Sequence, residues 1–144
     1  MRDVILEIVA ELKALDRALD RSLKNGGDPE HEEILERMRY LDWRLAEERA
    51  TTMHGAAAKL RAAASFLKTT DHPYSGTLRR ELGRTAAAFE RGERTMTHIV
   101  SLRAVARFAE SAFPEEDWLL SLLETGLQGA SRPMLAYSRA EQSV

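Results

Sequence analysis

Apolar residues recur along the chain at spacings of three and four, the period of an amphipathic α-helix. Ile5, Ile8, Leu12, Leu15 and Leu19 form a narrow seam that predicts a first helix from about Arg2 to Lys24. Asn25-Gly26-Gly27 ends it, and Asp28-Pro29-Glu30 reads as an N-cap, a first-turn proline and an acid matched to the helix dipole. From Pro29 to Thr69 a second stripe runs through Ile34, Leu35, Met38, Leu41, Leu45, Thr52, Met53, Ala56, Leu60, Ala63, Ala64 and Leu67. It keeps its phase across Thr51-Thr52 and Gly55. The expectation is therefore one continuous helix of roughly 60 Å at 1.5 Å per residue, with Thr51 to Gly55 as the place for any kink.

Asp71-His72-Pro73-Tyr74-Ser75-Gly76 breaks the pattern. A third segment opens near Thr77, with Leu78, Leu82, Thr85, Phe89 and Met96 on one side and Arg80, Arg84, Arg91 and Arg94 opposite. Past Ile99 the phase changes, and Leu102, Val105, Ala109 and Ala112 take the arginines' side. Two readings stay open: a bend between Gly92 and Val100, or one helix with two buried faces. Pro114-Glu115-Glu116-Asp117 then opens a short fourth helix carrying Trp118, Leu119, Leu122 and Leu123, which Gly126 and Gly129 end. No strand pattern occurs. The fold class expected is all-α: an antiparallel helical bundle with long second and third helices and a short C-terminal helix. Residues 1–129 would form a single domain, and 130–144 a loosely held tail.

The chain has 144 residues, enough for one core, and its 0 cysteines exclude disulfide frameworks, thiolate metal sites and cysteine nucleophiles. Net charge is −2, so no global field favours nucleic acid or membrane. The charge is unevenly spread: residues 76–107 hold 7 basic and 3 acidic side chains, whereas residues 1–50 hold 9 and 13. No apolar run approaches the roughly 20 residues of a membrane span, and the N-terminus is too short and acidic for a secretory signal. A cytoplasmic location is the expectation.

Catalytic and cofactor patterns are missing. None of His31, His54, His72 and His98 follows a glutamate by three residues, as a di-metal bundle centre requires, so no metal or cofactor is expected. There is no GxSxG elbow, GxGxxG or GxxxxGK[ST]. The chain reads as a non-enzyme. His54, with Ala50, Ala57, Ala58 and Arg61 around it, is a candidate phosphoacceptor of a histidine phosphotransfer module, although the Lys-Gly that follows such a histidine is replaced by Ala57-Ala58. Arg80, Arg84, Arg91 and Arg94 are candidate anion contacts of a nucleic-acid-binding regulator, with Glu81, Glu90 and Glu93 interrupting them. Tyr40 and Trp43 lie on the polar face of the second helix. Together with Leu102 and Val105 they form a candidate interaction surface, through packing either within the chain or on a partner. The leading expectation is a helical interaction or scaffold protein that self-associates as a dimer, with a protein partner possible and nucleic acid disfavoured.

The stretch Thr51-Thr52-Met53-His54-Gly55-Ala56-Ala57-Ala58-Lys59-Leu60-Arg61 carries a resemblance. With it, residues from about Leu12 to Leu67 resemble a group of small alphaproteobacterial helical proteins that share a Thr-x-x-Gly-x-x-Ala-Lys-Leu-Arg signature. In that group a Thr-Pro usually precedes the signature. Here Glu48-Arg49 stand in its place, which favours helix continuity. The resemblance implies a helical fold and a bacterial source, and it carries no activity over to this chain.

Overall fold

In the computed structural model, which describes residues 3–26 and 30–128, the protein is all-α, with six helices and no strand among those residues. They are α1 (Val4–Lys24), α2 (Glu30–Glu47), α3 (Met53–Lys68), α4 (Ser75–Glu90), α5 (Met96–Ala112) and α6 (117–128). The capping read at Gly27, Asp28 and Pro29 lies outside the described residues, as does the proposed tail 130–144.

The expected long second helix is two helices. Helix α2 ends at Glu47, and Thr52 starts α3 from an extended conformation (φ −130°, ψ 162°), its hydroxyl accepting the Gly55 N–H at 2.9 Å. A threonine hydroxyl that takes an orphan N–H of the first turn is a helix start signal, and it outweighs the unbroken stripe. The long third helix also divides, by the bend that the phase change allowed. Gly92 adopts φ 79°, the Gly92 N–H donates to Phe89 O at 3.0 Å and the Glu93 N–H to Ala88 O at 2.9 Å. This is a Schellman end for α4. Thr95 and His98 then form a reciprocal capping box that begins α5.

A single apolar cluster draws on all six helices, from Ile5 and Ile8 through Leu41, Leu60, Leu82, Phe89 and Leu102 to Leu119, Leu122 and Leu123. Helices α3 and α4 are the most closely packed pair. Ala56, Ala63 and Ala86 are fully buried there, and side chains this small let two backbones approach. Leu102, Val105 and Ala109 are buried in this core, so the second face of α5 closes inside the chain. Leu102 and Val105 are thereby withdrawn as interaction-surface candidates. The phase change had a cause internal to the bundle: after the bend, α5 presents a different side to the core.

Tyr40 and Trp43 are not enclosed by another helix among the described residues. They stay 47% and 59% exposed, their rings tilted against each other at 6.3 Å, with the Arg37 and Arg44 guanidiniums at 5.3 and 6.0 Å from the Tyr40 ring. No helix is long and apolar enough to cross a membrane among the described residues.

Candidate functional site: a groove between the first and third helices

The N-termini of α1 and α3 are tied together by one carboxylate. Asp3 caps α1, accepting the Ile5 N–H at 2.8 Å through Oδ1. Its Oδ2 accepts the Thr52 N–H at 2.9 Å, the Thr51 N–H at 3.3 Å and the Thr52 hydroxyl at 2.6 Å. One side chain thus satisfies donors from two helix starts, and it is itself buried. Gly55 makes room for it, since a Cβ there would lie 2.0 Å from Asp3 Oδ2.

A turn further along α3, Lys59 is fully buried. Its ammonium donates to the Leu45 carbonyl in the last turn of α2 and to Thr125 Oγ1 of α6 at 2.8 Å. Thr125 Oγ1 in turn lies 3.0 Å from the Ala46 carbonyl and 2.7 Å from the Ser121 carbonyl. Burial lowers the Lys59 pKa to about 8, against the opposing pull of Glu48, Asp3 and Glu47. Lys59 therefore acts as a C-terminal cap for α2 supplied from another helix.

An open groove of about 1030 Å³ is lined by residues of α1, α2 and α3, with Glu90 of α4 and Trp118 of α6. Leu6, Val9 and Leu12 line it from α1, Ala57, Ala58, Ala62 and Ser65 from α3, and Met38 and Leu45 from α2. Phe66 and Trp118, tilted against each other at 5.7 Å, add aromatic rings to the lining. Trp118 is fixed there because its indole N–H donates to the Asp42 carbonyl at 2.6 Å. Asp42 lines the groove as well, and burial raises its pKa.

The remaining sequence candidates fall as follows. His54 is exposed, in the first turn of α3, and it lines the groove beside Ala57, Ala58 and Arg61. The arginine stripe is not one helix face. Arg80 and Arg84 are exposed on α4, Arg91 is its C-cap and Arg94 sits in the α4–α5 connection. Arg84 pairs with Glu81 at 3.4 Å and Arg91 with Glu93 at 3.1 Å, so two of the four are balanced by their own neighbours. Among the described residues no cluster of His, Asp and Glu has the grouping of a metal site.

Arg61 of α3 bridges to Glu90 of α4, its Nε at 2.8 Å from Oε1. Both side chains are about half exposed, 52% and 40%, so water screens the pair. Arg61→Ala is expected to change the unfolding free energy by less than about 1 kcal/mol, measured by urea titration. A loss several times larger would mean that the pair is part of the core's support.

The signature residues acquire structural roles in this chain. Thr52 caps α3, Gly55 admits Asp3, Ala58 lines the groove, Lys59 caps α2, Leu60 is fully buried, and Arg61 ties α3 to α4. Sequence reasoning missed Asp3 and Lys59 as partners of this segment. An aspartate directly before an apolar run was the available signal for the first, and none existed for the second. No family model, curated protein or solved structure matches the chain.

Proposed function

We propose that the protein is a non-enzymatic helical binding module whose α1–α3 groove receives one amphipathic helix of a partner protein. The observation that carries this reading is the form of the groove. On α1 the lining runs from Leu6 to Asp16 and on α3 from His54 to Thr69. At 1.5 Å per residue these walls are roughly 15 and 22 Å long, the length of a three- to four-turn helix. On α3 the small side chains of Ala57, Ala58, Ala62 and Ser65 permit close helix approach, and α1 and α2 contribute the apolar Leu6, Val9, Leu12, Met38 and Leu45. Grooves of this form bind a helix by its i, i+3, i+4 and i+7 residues. Tyr40 and Trp43 remain a second, smaller apolar patch, through which the module could self-associate into a scaffold.

The test is a titration of the isotopically labelled protein with a helix-stapled peptide of roughly 14 residues, leucine on one face and serine and glutamine on the other. Saturable amide shifts confined to residues 6–16, 38–45 and 54–69 are expected, and Ala58→Trp, which fills the groove, should weaken binding at least about tenfold. Shifts scattered over the surface, or unaffected by Ala58→Trp, would contradict the reading.

A further inference from the structure

The ionisable groups lining the groove come from four helices: Lys13 and Asp16 of α1, Asp42 of α2, His54 and Arg61 of α3, and Glu90 of α4. Arg61 and Glu90 neutralise each other. Among the described residues Asp16, Asp42 and Lys13 belong to no ion pair. The uncompensated set is thus two carboxylates against one ammonium, with His54 in the first turn of α3. One carboxylate-bearing residue, Asp42, lines the groove together with Phe66 and Trp118, and the Trp118 indole N–H donates to its backbone carbonyl. A groove lined by unpaired carboxylates and by aromatic side chains is an environment that favours a guest cation by charge and by cation–π attraction.

We infer that the helix received by the groove is basic: it carries arginines or lysines at the edge of its apolar face, placed to pair with the unpaired carboxylates Asp42 and Asp16. The inference rests on the helix-binding reading above and adds the guest's charge to it. Burial pushes the Asp42 carboxyl upward, so its ionised form lacks solvation that a guest cation can replace. An acidic guest meets the opposite situation, a like charge beside a partly desolvated carboxylate, and is rejected.

Three stapled peptides that differ only at one central flanking position, glutamine, arginine or glutamate, provide the test against the wild type and the Asp16→Asn/Asp42→Asn variant. Among the described residues neither carboxylate takes part in a hydrogen bond or ion pair, and circular dichroism would verify that the variant is folded. The arginine peptide is expected to bind about tenfold more tightly than the glutamate peptide, with the difference largely lost in the variant. Equal or reversed affinities, with the glutamine peptide still bound, would overturn the charge inference and leave the helix-binding reading standing. Failure of all three peptides would overturn both. Light scattering that reports a dimer dissolved by Ala58→Trp, which no peptide displaces, would show that a second copy fills the groove and would likewise overturn the inference.

Discussion

Gly55→Ala is expected to destabilise the protein by about 2–4 kcal/mol, seen as a fall of roughly 5–15 °C in the thermal midpoint. Helix propensity alone argues the reverse. Gly55 lies inside α3 without a positive φ, where alanine is favoured by about 1 kcal/mol. The sign is decided by the added methyl, which would sit 2.0 Å from Asp3 Oδ2 and 2.7 Å from its Cγ. To avoid it the carboxylate must leave the Thr51 and Thr52 N–H groups and the Thr52 hydroxyl, and both helix starts lose their shared acceptor. Gly83→Ala in α4, where a Cβ meets nothing within 4 Å, serves as the counterpart and should stabilise by about 0.5–1 kcal/mol. In an Asp3→Ala background most of the Gly55→Ala cost should vanish, because the clash partner is gone. A Gly55→Ala protein as stable as the wild type would mean that Asp3 does not bridge α1 and α3.

The second large effect is a pH dependence. The Lys59 pKa is lowered from 10.5 to about 8 by burial, so between those pH values the unfolded chain binds a proton that the folded protein does not. Stability must then rise with pH across that window. Below about pH 8 both states carry the charge and the burial penalty is fully present; above about pH 10.5 both are neutral and it is gone. The wild type should gain up to about 3 kcal/mol relative to Lys59→Met between pH 8 and 10.5, and the gap should be flat below pH 8. Comparison with Lys59→Met cancels the titration of the tyrosines and exposed lysines. Urea unfolding at closely spaced pH values measures the gap. A gap that stays constant to pH 10.5, or narrows, would contradict a buried ammonium at this site.

Why such a lysine is retained follows from its neighbours. The Leu45 carbonyl at the end of α2 and the Thr125 hydroxyl of α6 both receive it, so one side chain holds three helices in register. Such a buried charge can be less stabilising than an apolar replacement and still select one arrangement of the helices over others.

Much of the bundle was legible in the sequence, because each helix buries one face and the period of burial is written in the apolar positions. Ile5 and Ile8, Leu41 and Leu45, and Leu78, Leu82 and Phe89 were placed correctly on this basis. The division between α2 and α3 was not. A stripe that re-enters in phase after a short excursion is indistinguishable by period from an unbroken one. What divides the helices there is a hydroxyl and a carboxylate 49 positions apart in sequence, a pairing that no local pattern records. The α4–α5 bend was visible as a phase change because α5 meets the core from another direction. Lys59 was hidden for a different reason: hydropathy assigns a lysine to solvent, and only the arrival of α6 encloses it. The groove was the least legible feature, since it consists of space between α1 and α3 and depends on how far two helices stand apart. Within the stretch Thr52 to Arg61, His54, Ala57, Ala58 and Arg61 supply part of its α3 lining, and Thr52 belongs to the Asp3 junction.

The absence of cysteine from the chain allows a direct test of the groove. A single cysteine at Ala62, on the α3 wall, and a second protein with its only cysteine at Arg84, on the outer face of α4, would be alkylated with and without the stapled arginine peptide. Occupancy of the groove predicts that saturating peptide slows alkylation at position 62 at least about tenfold and leaves position 84 unchanged. Equal rates at position 62 with the peptide bound would place the guest elsewhere and contradict the account.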